Sequence, residues 1–361
     1  MQKIEALFDN PQKNNSIWPL LLTPLSYIYK LGIFLYHTLY SLRLAKTDSF
    51  SIPIVCVGNI RVGGTGKTPF VQKLLTDLHK KIDIGVISTG YKALGVSKKQ
   101  ILSCKDNRGL LIPACFCGDE PAMLQKRFPS VDFYICKDRK KALMQAITDK
   151  KKIVILDDGF QQRSIKKDIQ IVMLDPDCDL KNTKFLPRGP LRDFPSRLAA
   201  ANYVCLSYEP FAAVNLSLAL TNLQPLTKAK ILASRKMPYY IKGEWEGPLR
   251  VLRHKKIGLF CAIARASRFI QGVKNYQPSL KKTWILSDHA AFSEESLKNF
   301  SDRAKNEGAE FLLCTEKDYI KVQSIKTSLP KAYVEMQTEI IYGNTHYDHL
   351  VEQILINAKK N

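Results

Sequence analysis

At 361 residues the chain has room for two folding units, or three, and its 45% apolar and 24% charged residues exclude a disordered chain, a collagen and a polytopic membrane protein. Lys and Arg number 55 against 33 Asp and Glu, and the resulting formal charge of +22 favours anionic partners: nucleic acid, anionic lipid or phosphorylated compounds. The basic residues are dispersed in short clusters such as Arg139-Lys140-Lys141 and Lys150-Lys151-Lys152, without the aromatic interleaving of a single-strand-binding surface. Nine cysteines, an odd number with no Cys-x-x-Cys unit, suit a reducing compartment, and Cys115-x-Cys117 alone makes no metal site.

Residues 1–16 are polar and lack the pattern of a secretory signal. Residues 17–42 are apolar but broken by Pro19, Pro24 and Lys30, and the uninterrupted pieces fall short of the ~20 residues that span a bilayer. On a helical wheel Ser26, Lys30, His37 and Ser41 fall at roughly 0°, 40°, 20° and 60°, one narrow polar stripe on an otherwise apolar helix. Such a helix either packs into a core or lies in a membrane interface with Tyr and Lys at the boundary.

From residue 52 short β-branched runs alternate with amphipathic stretches. Strands are predicted at 53–58, 83–88, 131–136, 152–157, 169–174 and 202–207, with helices at 67–80, 121–128, 139–149 and 194–201. This alternation implies βαβ units and a mostly parallel sheet flanked by helices. Residues 231–256 carry turn signals at Gly243 and Gly247-Pro248 and read as a linker or hairpin. A smaller α/β unit follows, with strands near 257–262, 283–287 and 311–314 and helices near 293–306 and 346–358. The organisation expected is a helical N-terminal segment (1–50), a core (51–230), a linker (231–256) and a smaller C-terminal unit (257–361).

The first core strand runs into Arg61-Val62-Gly63-Gly64-Thr65-Gly66-Lys67-Thr68 and then a helix with Pro69 in its first turn. Glycines let backbone N–H groups turn inward around phosphate oxygens, Lys67 adds a cation at the β/γ phosphates, and the Thr68 hydroxyl suits Mg²⁺. The loop departs from the usual pattern at its opening glycine, where Arg61 stands. Strand 152–157 ends in Asp157-Asp158, where phosphate-loop enzymes place a Mg²⁺-associated carboxylate. ATP and Mg²⁺ are the expected cofactors. One reading of such a chain is a membrane-associated ATPase of the partitioning type, but those carry a lysine where Val62 stands.

A series of ordered segments resembles the tetraacyldisaccharide 4′-kinase family of lipid A biosynthesis. They are VGNIRVGGTGKTP (57–69), STGY (88–91), GDEP (118–121), KDR (137–139), LDDGFQ (156–161), LPRGPLRD (186–193), SDHAAF (287–292) and TEKD (315–318), together with the apolar N-terminal helix. The resemblance implies a phosphate-loop fold with a smaller C-terminal α/β domain and γ-phosphoryl transfer from ATP to the 4′-hydroxyl of an acylated disaccharide 1-phosphate, giving lipid IVA. It places the enzyme on the cytoplasmic face of the inner membrane, with no nucleic acid and no obligate protein partner. By the same likeness Asp119 is the base that accepts the sugar hydroxyl proton, His289 is its partner, Glu120 helps hold Mg²⁺, and Arg188 and Arg192 are phosphate or substrate contacts. The sequence departs from the family's habit at Thr89 (commonly Arg), Gln162 (commonly His) and Ala290 (commonly a second His). Residues 261–269 also differ from the family's Gly-rich stretch. These positions touch secondary substrate contacts rather than the reaction type.

Overall fold

The computed structural model describes residues 18–90, 93, 96–97, 100–105, 109–180, 182–210, 214–263, 266–287 and 290–360. Tyr91, Asp288 and His289, named above, lie outside the described residues, as do residues 1–17 and residues 264–265 of the 261–269 stretch.

Chain order gives α1 (Trp18–Ser41), β1 (Ile54–Gly58), α2 (Lys67–Leu78), β2 (Ile84–Ser88), α3 (Ala114–Cys117), α4 (Asp119–Arg127), β3 (Asp132–Ile135), α5 (Arg139–Thr148), β4 (Ile153–Asp157), β5 (Ile169–Leu174) and β6 (Tyr203–Tyr208). Then come α6 (Leu216–Leu223), β7 (Lys230–Gly243), β8 (Gly247–Pro248), β9 (Lys256–Cys261), α7 (Ala266–Lys274), β10 (Ser279–Ile285), α8 (Glu294–Asn306), β11 (Phe311–Thr315), α9 (Glu316–Val322), β12 (Lys331–Tyr342) and α10 (Asn344–Lys359). The stretch expected as a helix at 194–201 is a 3₁₀ segment, Pro195–Ala200, which Pro195 starts.

All strands join one sheet in the order β10-β9-β11-β12-β7-β6-β5-β1-β4-β2-β3, with β8 paired to β7. Every pairing is parallel except β7 with β12 and β7 with β8. The segment read as a linker or hairpin therefore holds a 14-residue strand whose residues 230–235 pair with β6 and whose residues 233–243 pair with β12. Its Pro238 sits where the β7–β12 register shifts, between Glu335 and Met336, and a bulge is where a strand tolerates proline.

β1, β2 and β4 are buried along nearly their whole length, as strands covered on both faces must be. On one face α2 packs Phe70, Leu74 and Leu75 against the sheet, joined there by Leu350 and Ile354 of the last helix. Tyr347 of that helix donates to Asp77 Oδ2 at 2.7 Å, so the end of the chain is fastened to the helix that follows the phosphate loop. The other face is covered by Ala142, Leu143 and Ala146 of α5 and by Leu198.

α1 is oriented by its polar stripe, which faces the protein. Ser26 Oγ donates to the Phe185 carbonyl (2.7 Å), and Tyr36 OH donates to the Gln161 carbonyl (3.2 Å). His37 Nε2 meets the fully buried Asp193 Oδ1 at 2.7 Å. Arg163 Nη1 donates to the His37 carbonyl (2.9 Å) and to Ser41 Oγ (3.2 Å). The opposite face leaves Tyr27, Ile28, Leu31 and Phe34 exposed at 67%, 66%, 56% and 55%. The helix thus presents apolar side chains outward, the reverse of a helix packed on a core. Among the described residues no helix is long and apolar enough to cross a membrane.

Candidate active site

The phosphate loop leaves the carboxyl end of β1, which lies between β5 and β4 in the sheet. Gly66 precedes α2 with φ +77°, and a Cβ there would come within 2.0 Å of Ser207 Oγ at the end of β6, so both conformation and space require glycine. Inside the turn Asn59 Nδ2 donates to Thr65 Oγ1 at 2.6 Å. Val62 is tied by its N–H to the Pro190 carbonyl, and Arg61 reaches Asp175 Oδ2 at 3.5 Å. Of the residues expected at the nucleotide, Gly63, Gly64, Thr65, Gly66, Lys67 and Thr68 form the turn and the helix start. Arg61 and Val62 brace it against the 185–191 segment.

Four carboxylates gather around the turn. Asp157 ends β4 directly beside Val57 of β1. Its Oδ1 is buried without a hydrogen-bond partner among the described residues, and burial, then the nearby Glu120 and Asp158 carboxylates, push its pKa up to about 7. Asp158 adopts φ +56°, a left-handed conformation that Asp tolerates better than most residues, and its N–H is held by the Val57 carbonyl. Burial raises the Asp158 pKa, but the Arg192 hydrogen bonds and the Lys67 and Arg139 cations outweigh it and bring the pKa down to about 2. Arg192 is bidentate to Asp158, with Nη1 at 2.9 Å from Oδ2 and Nη2 on Oδ1. Lys67 Nζ stands 3.6 Å from Asp158 Oδ1. Arg139 Nη2 donates to the Asp158 carbonyl at 2.7 Å, and its Nη1 donates to Gln162 Oε1 at 3.1 Å.

The other two carboxylates open α4. Gly118 precedes them with φ +102°, which points the chain so that Asp119 and Glu120 occupy the first helical turn, where the helix dipole favours negative charge. Thr68 Oγ1 donates to Glu120 Oε2 at 2.6 Å, joining the phosphate loop to this helix. From α9, Lys317 Nζ lies 4.0 Å from Glu120 Oε1 and Lys321 Nζ lies 3.2 Å from Asp119 Oδ2.

Thr68, Glu120 and Asp157 therefore converge on one corner of the loop. Oxygen donors alone, with a buried carboxylate oxygen that is unpartnered among the described residues and whose ionisation is held back by burial and by neighbouring negative charge, are a donor set that fits Mg²⁺. Among the described residues no cluster of three His, Cys, Asp or Glu side chains is close enough to hold an ion unaided. Mg²⁺ commonly takes one or two carboxylates and completes its shell with phosphate oxygens and water. Of the two candidate arginines, Arg192 reaches the site. Arg188 is half-buried in the neighbouring segment and has no hydrogen bond or ion pair among the described residues. The site residues that residue-by-residue reading missed are Asn59, Lys317 and Lys321. The GNIR and TEKD segments that hold Asn59 and Lys317 were legible only as family likeness, and Lys321 lies beyond TEKD in no segment singled out from the sequence.

A glycine-rich turn between a central parallel strand and a helix, with a lysine, a hydroxyl and a strand-end aspartate beside it, defines the phosphate-loop class of nucleotide-using proteins. Comparison with known proteins narrows this. The family model described as tetraacyldisaccharide-1-P 4′-kinase (LpxK) matches residues 18–355. A curated tetraacyldisaccharide 4′-kinase of Chlamydia muridarum is 33% identical over 296 residues, covering 79% of this chain and 76% of that one. Another, of Porphyromonas gingivalis, is 30% identical over 336 residues, covering 89% and 90%. A crystal structure of LpxK from Aquifex aeolicus in complex with ATP superposes with a TM-score of 0.76 at 26% identity, covering 94% of this chain and 99% of that one.

The chain belongs to the tetraacyldisaccharide 4′-kinase family. Its activity is that of an ATP-dependent kinase of a lipid disaccharide in lipid A biosynthesis, and the partitioning-ATPase reading is set aside.

Proposed function

We propose that ATP is held with its terminal phosphates in the 63–68 turn and that the 4′-hydroxyl of a tetraacyldisaccharide 1-phosphate is presented to it from the side of Asp119. Gly63, Gly64, Thr65 and Gly66 offer backbone N–H groups, and Lys67 moves its charge from Asp158 toward the β/γ oxygens. Thr68, Glu120 and Asp157 would hold Mg²⁺, with Asp158 next to them, fixed by Arg192. When bound there, Mg²⁺ would supply positive charge against the phosphates. Asp119 takes the proton of the attacking hydroxyl, and His289 serves as its partner. Phosphoryl transfer asks little covalent chemistry of the protein, so positioning and charge neutralisation carry the rate. The observation that supports this reading best is the hydrogen bond from Thr68 to Glu120, which brings the phosphate loop and the Asp119–Glu120 pair to one place.

The same proposal puts the enzyme on the surface of the inner membrane, facing the cytoplasm. Each CH₂ drawn into water costs roughly 0.8 kcal/mol, so a tetraacylated substrate stays in the bilayer and its kinase must come to it. The outward apolar face of α1 and the net charge of +22 suit an anionic leaflet. Between α1 and the core lies a cavity of about 360 Å³, lined by Tyr29, Tyr36, His37, Gln161 and Arg192 among others. It reaches from the helix to Arg192, the guanidinium that holds Asp158.

The test is incubation with γ-labelled ATP and the lipid disaccharide 1-phosphate in mixed micelles, followed by chromatography of the lipid. The unaltered protein transfers label to lipid, and Asp119→Ala does not. Near-normal kcat in Asp119→Ala removes that residue as the base.

A further inference from the structure

The base proposed above begins a helix of the phosphate-loop half of the sheet, yet its charged neighbour comes from the other half. Lys321 Nζ stands 3.2 Å from Asp119 Oδ2 and 3.8 Å from Asp318 Oδ1, ion-pair contacts made by an ammonium that has no hydrogen bond among the described residues. All three side chains are largely withdrawn from solvent, at 13%, 15% and 0% exposure, so the pair escapes the screening that makes surface ion pairs weak. Asp318 is itself fixed. Its Oδ2 accepts from Thr315 Oγ1 (2.6 Å) and from the Ala262 N–H (3.1 Å), just beyond the end of β9. A chain of contacts thus runs from the β9 end through Asp318 and Lys321 to Asp119.

The surrounding contacts lock the two helices in register. Arg127, at the far end of α4, lies between Glu316 (3.7 Å) and Glu335 (3.2 Å), and Glu335 also meets Lys242 at 3.1 Å. Lys126 donates to Gln323 Oε1 at 2.7 Å and lies over the Tyr319 ring, 4.7 Å from its centroid. The carboxylates that open α4 face lysines of α9, and the cations that close it face acceptors of α9 and β12. A translation of α9 along α4 breaks this complementarity at both ends.

We infer that Lys321 is a positioning residue for Asp119, its buried ammonium charge drawing the carboxylate toward α9 and so helping to hold it in one pose toward the acceptor hydroxyl. An aspartate turns broadly about its terminal torsion, and a base that must meet one hydroxyl in one pose gains from having that freedom removed. Through Lys321 the C-terminal half of the sheet sets the geometry of a base it does not contain. The inference rests on the reading of Asp119 as the base.

The test uses the full chain, γ-labelled ATP and the lipid disaccharide 1-phosphate in mixed micelles. Lys321→Gln should lower kcat by roughly 10- to 100-fold, the cost of about an ångström of misplacement. KM for ATP should stay within about twofold, because Lys321 does not touch the phosphate loop. Lys321→Arg, which keeps the charge, should recover most of the loss. In Asp119→Asn the further change Lys321→Gln should cost nothing more, since a residue acting through Asp119 has nothing left to position. A kcat for Lys321→Gln within about twofold of the unaltered protein, or a full additional loss in the double variant, overturns the inference. If Asp119→Asn itself keeps its kcat, it is the base assignment that fails. Should Lys321→Gln not fold, Asp318→Asn loosens the lysine from its other side. It must then show the same loss confined to kcat, and an unchanged kcat there overturns the inference equally.

Discussion

Asp157→Asn changes one atom of a side chain whose ionisation the fold opposes, and it should stabilise the nucleotide- and metal-free protein at alkaline pH. The native pKa is raised from 3.8 to about 7 by burial and by the Glu120 and Asp158 charges, against the pull of Lys67 and Arg139. The native state therefore holds this proton more tightly than the unfolded chain. The favourable contribution is complete below pH ~4 and is lost as pH rises through ~7, after which the folded protein carries a charged Asp157 at full cost. Three units at 1.36 kcal/mol each set an upper figure of about 4 kcal/mol, and since the residue retains some solvent contact about 2 kcal/mol is expected. Asn imitates the neutral acid and escapes this cost at every pH. Urea denaturation in the presence of a chelator should show the variant ahead by about 2 kcal/mol at pH 8, with the gap closing toward pH 4. Saturating ATP with Mg²⁺ should reverse the order, because only the carboxylate gains from the ion. An Asn variant no more stable at pH 8, or one whose advantage is equal at pH 5 and pH 8, refutes the electrostatic account.

Lys67→Ala should leave the fold intact, since Asp158 keeps its bidentate partner Arg192, and should abolish label transfer to lipid; turnover persisting in that variant removes Lys67 from the phosphate site. Leu31→Glu with Phe34→Glu places two charges on the outward face of α1, forfeiting about 1.5–3 kcal/mol of apolar burial per side chain in a bilayer interface. Flotation with anionic vesicles should fall at least tenfold by that arithmetic while ATP binding is unchanged, and undiminished flotation would locate the membrane contact elsewhere.

The phosphate loop was legible in the sequence because its chemistry is local. A strand, a glycine turn, Lys67-Thr68 and a helix are consecutive in the chain, and backbone conformation alone brings them together. The strand ending in Asp157-Asp158 was legible for the same reason. The polar stripe of α1 was also readable from spacing, but which way it faced was not. Ser26, Tyr36 and His37 find their acceptors at Phe185, Gln161 and Asp193, more than a hundred residues away, so the stripe turns inward and leaves the apolar side chains outside. The strand at 230–243 hid behind Pro238 and its basic residues, because the bulge that accommodates the proline exists only once β12 lies alongside.

By itself the sequence determined the βαβ alternation, the phosphate-gripping turn and the membership of a kinase family, since each is written in contiguous residues or in an ordered series of them. Only the tertiary structure decided that Glu120 meets Thr68, that Arg192 rather than Arg188 secures Asp158, and that Lys321 reaches Asp119 from the far half of the sheet. Those contacts join residues 34 to 202 positions apart. Their partners are chosen by how the sheet stacks its helices, and no local propensity encodes that.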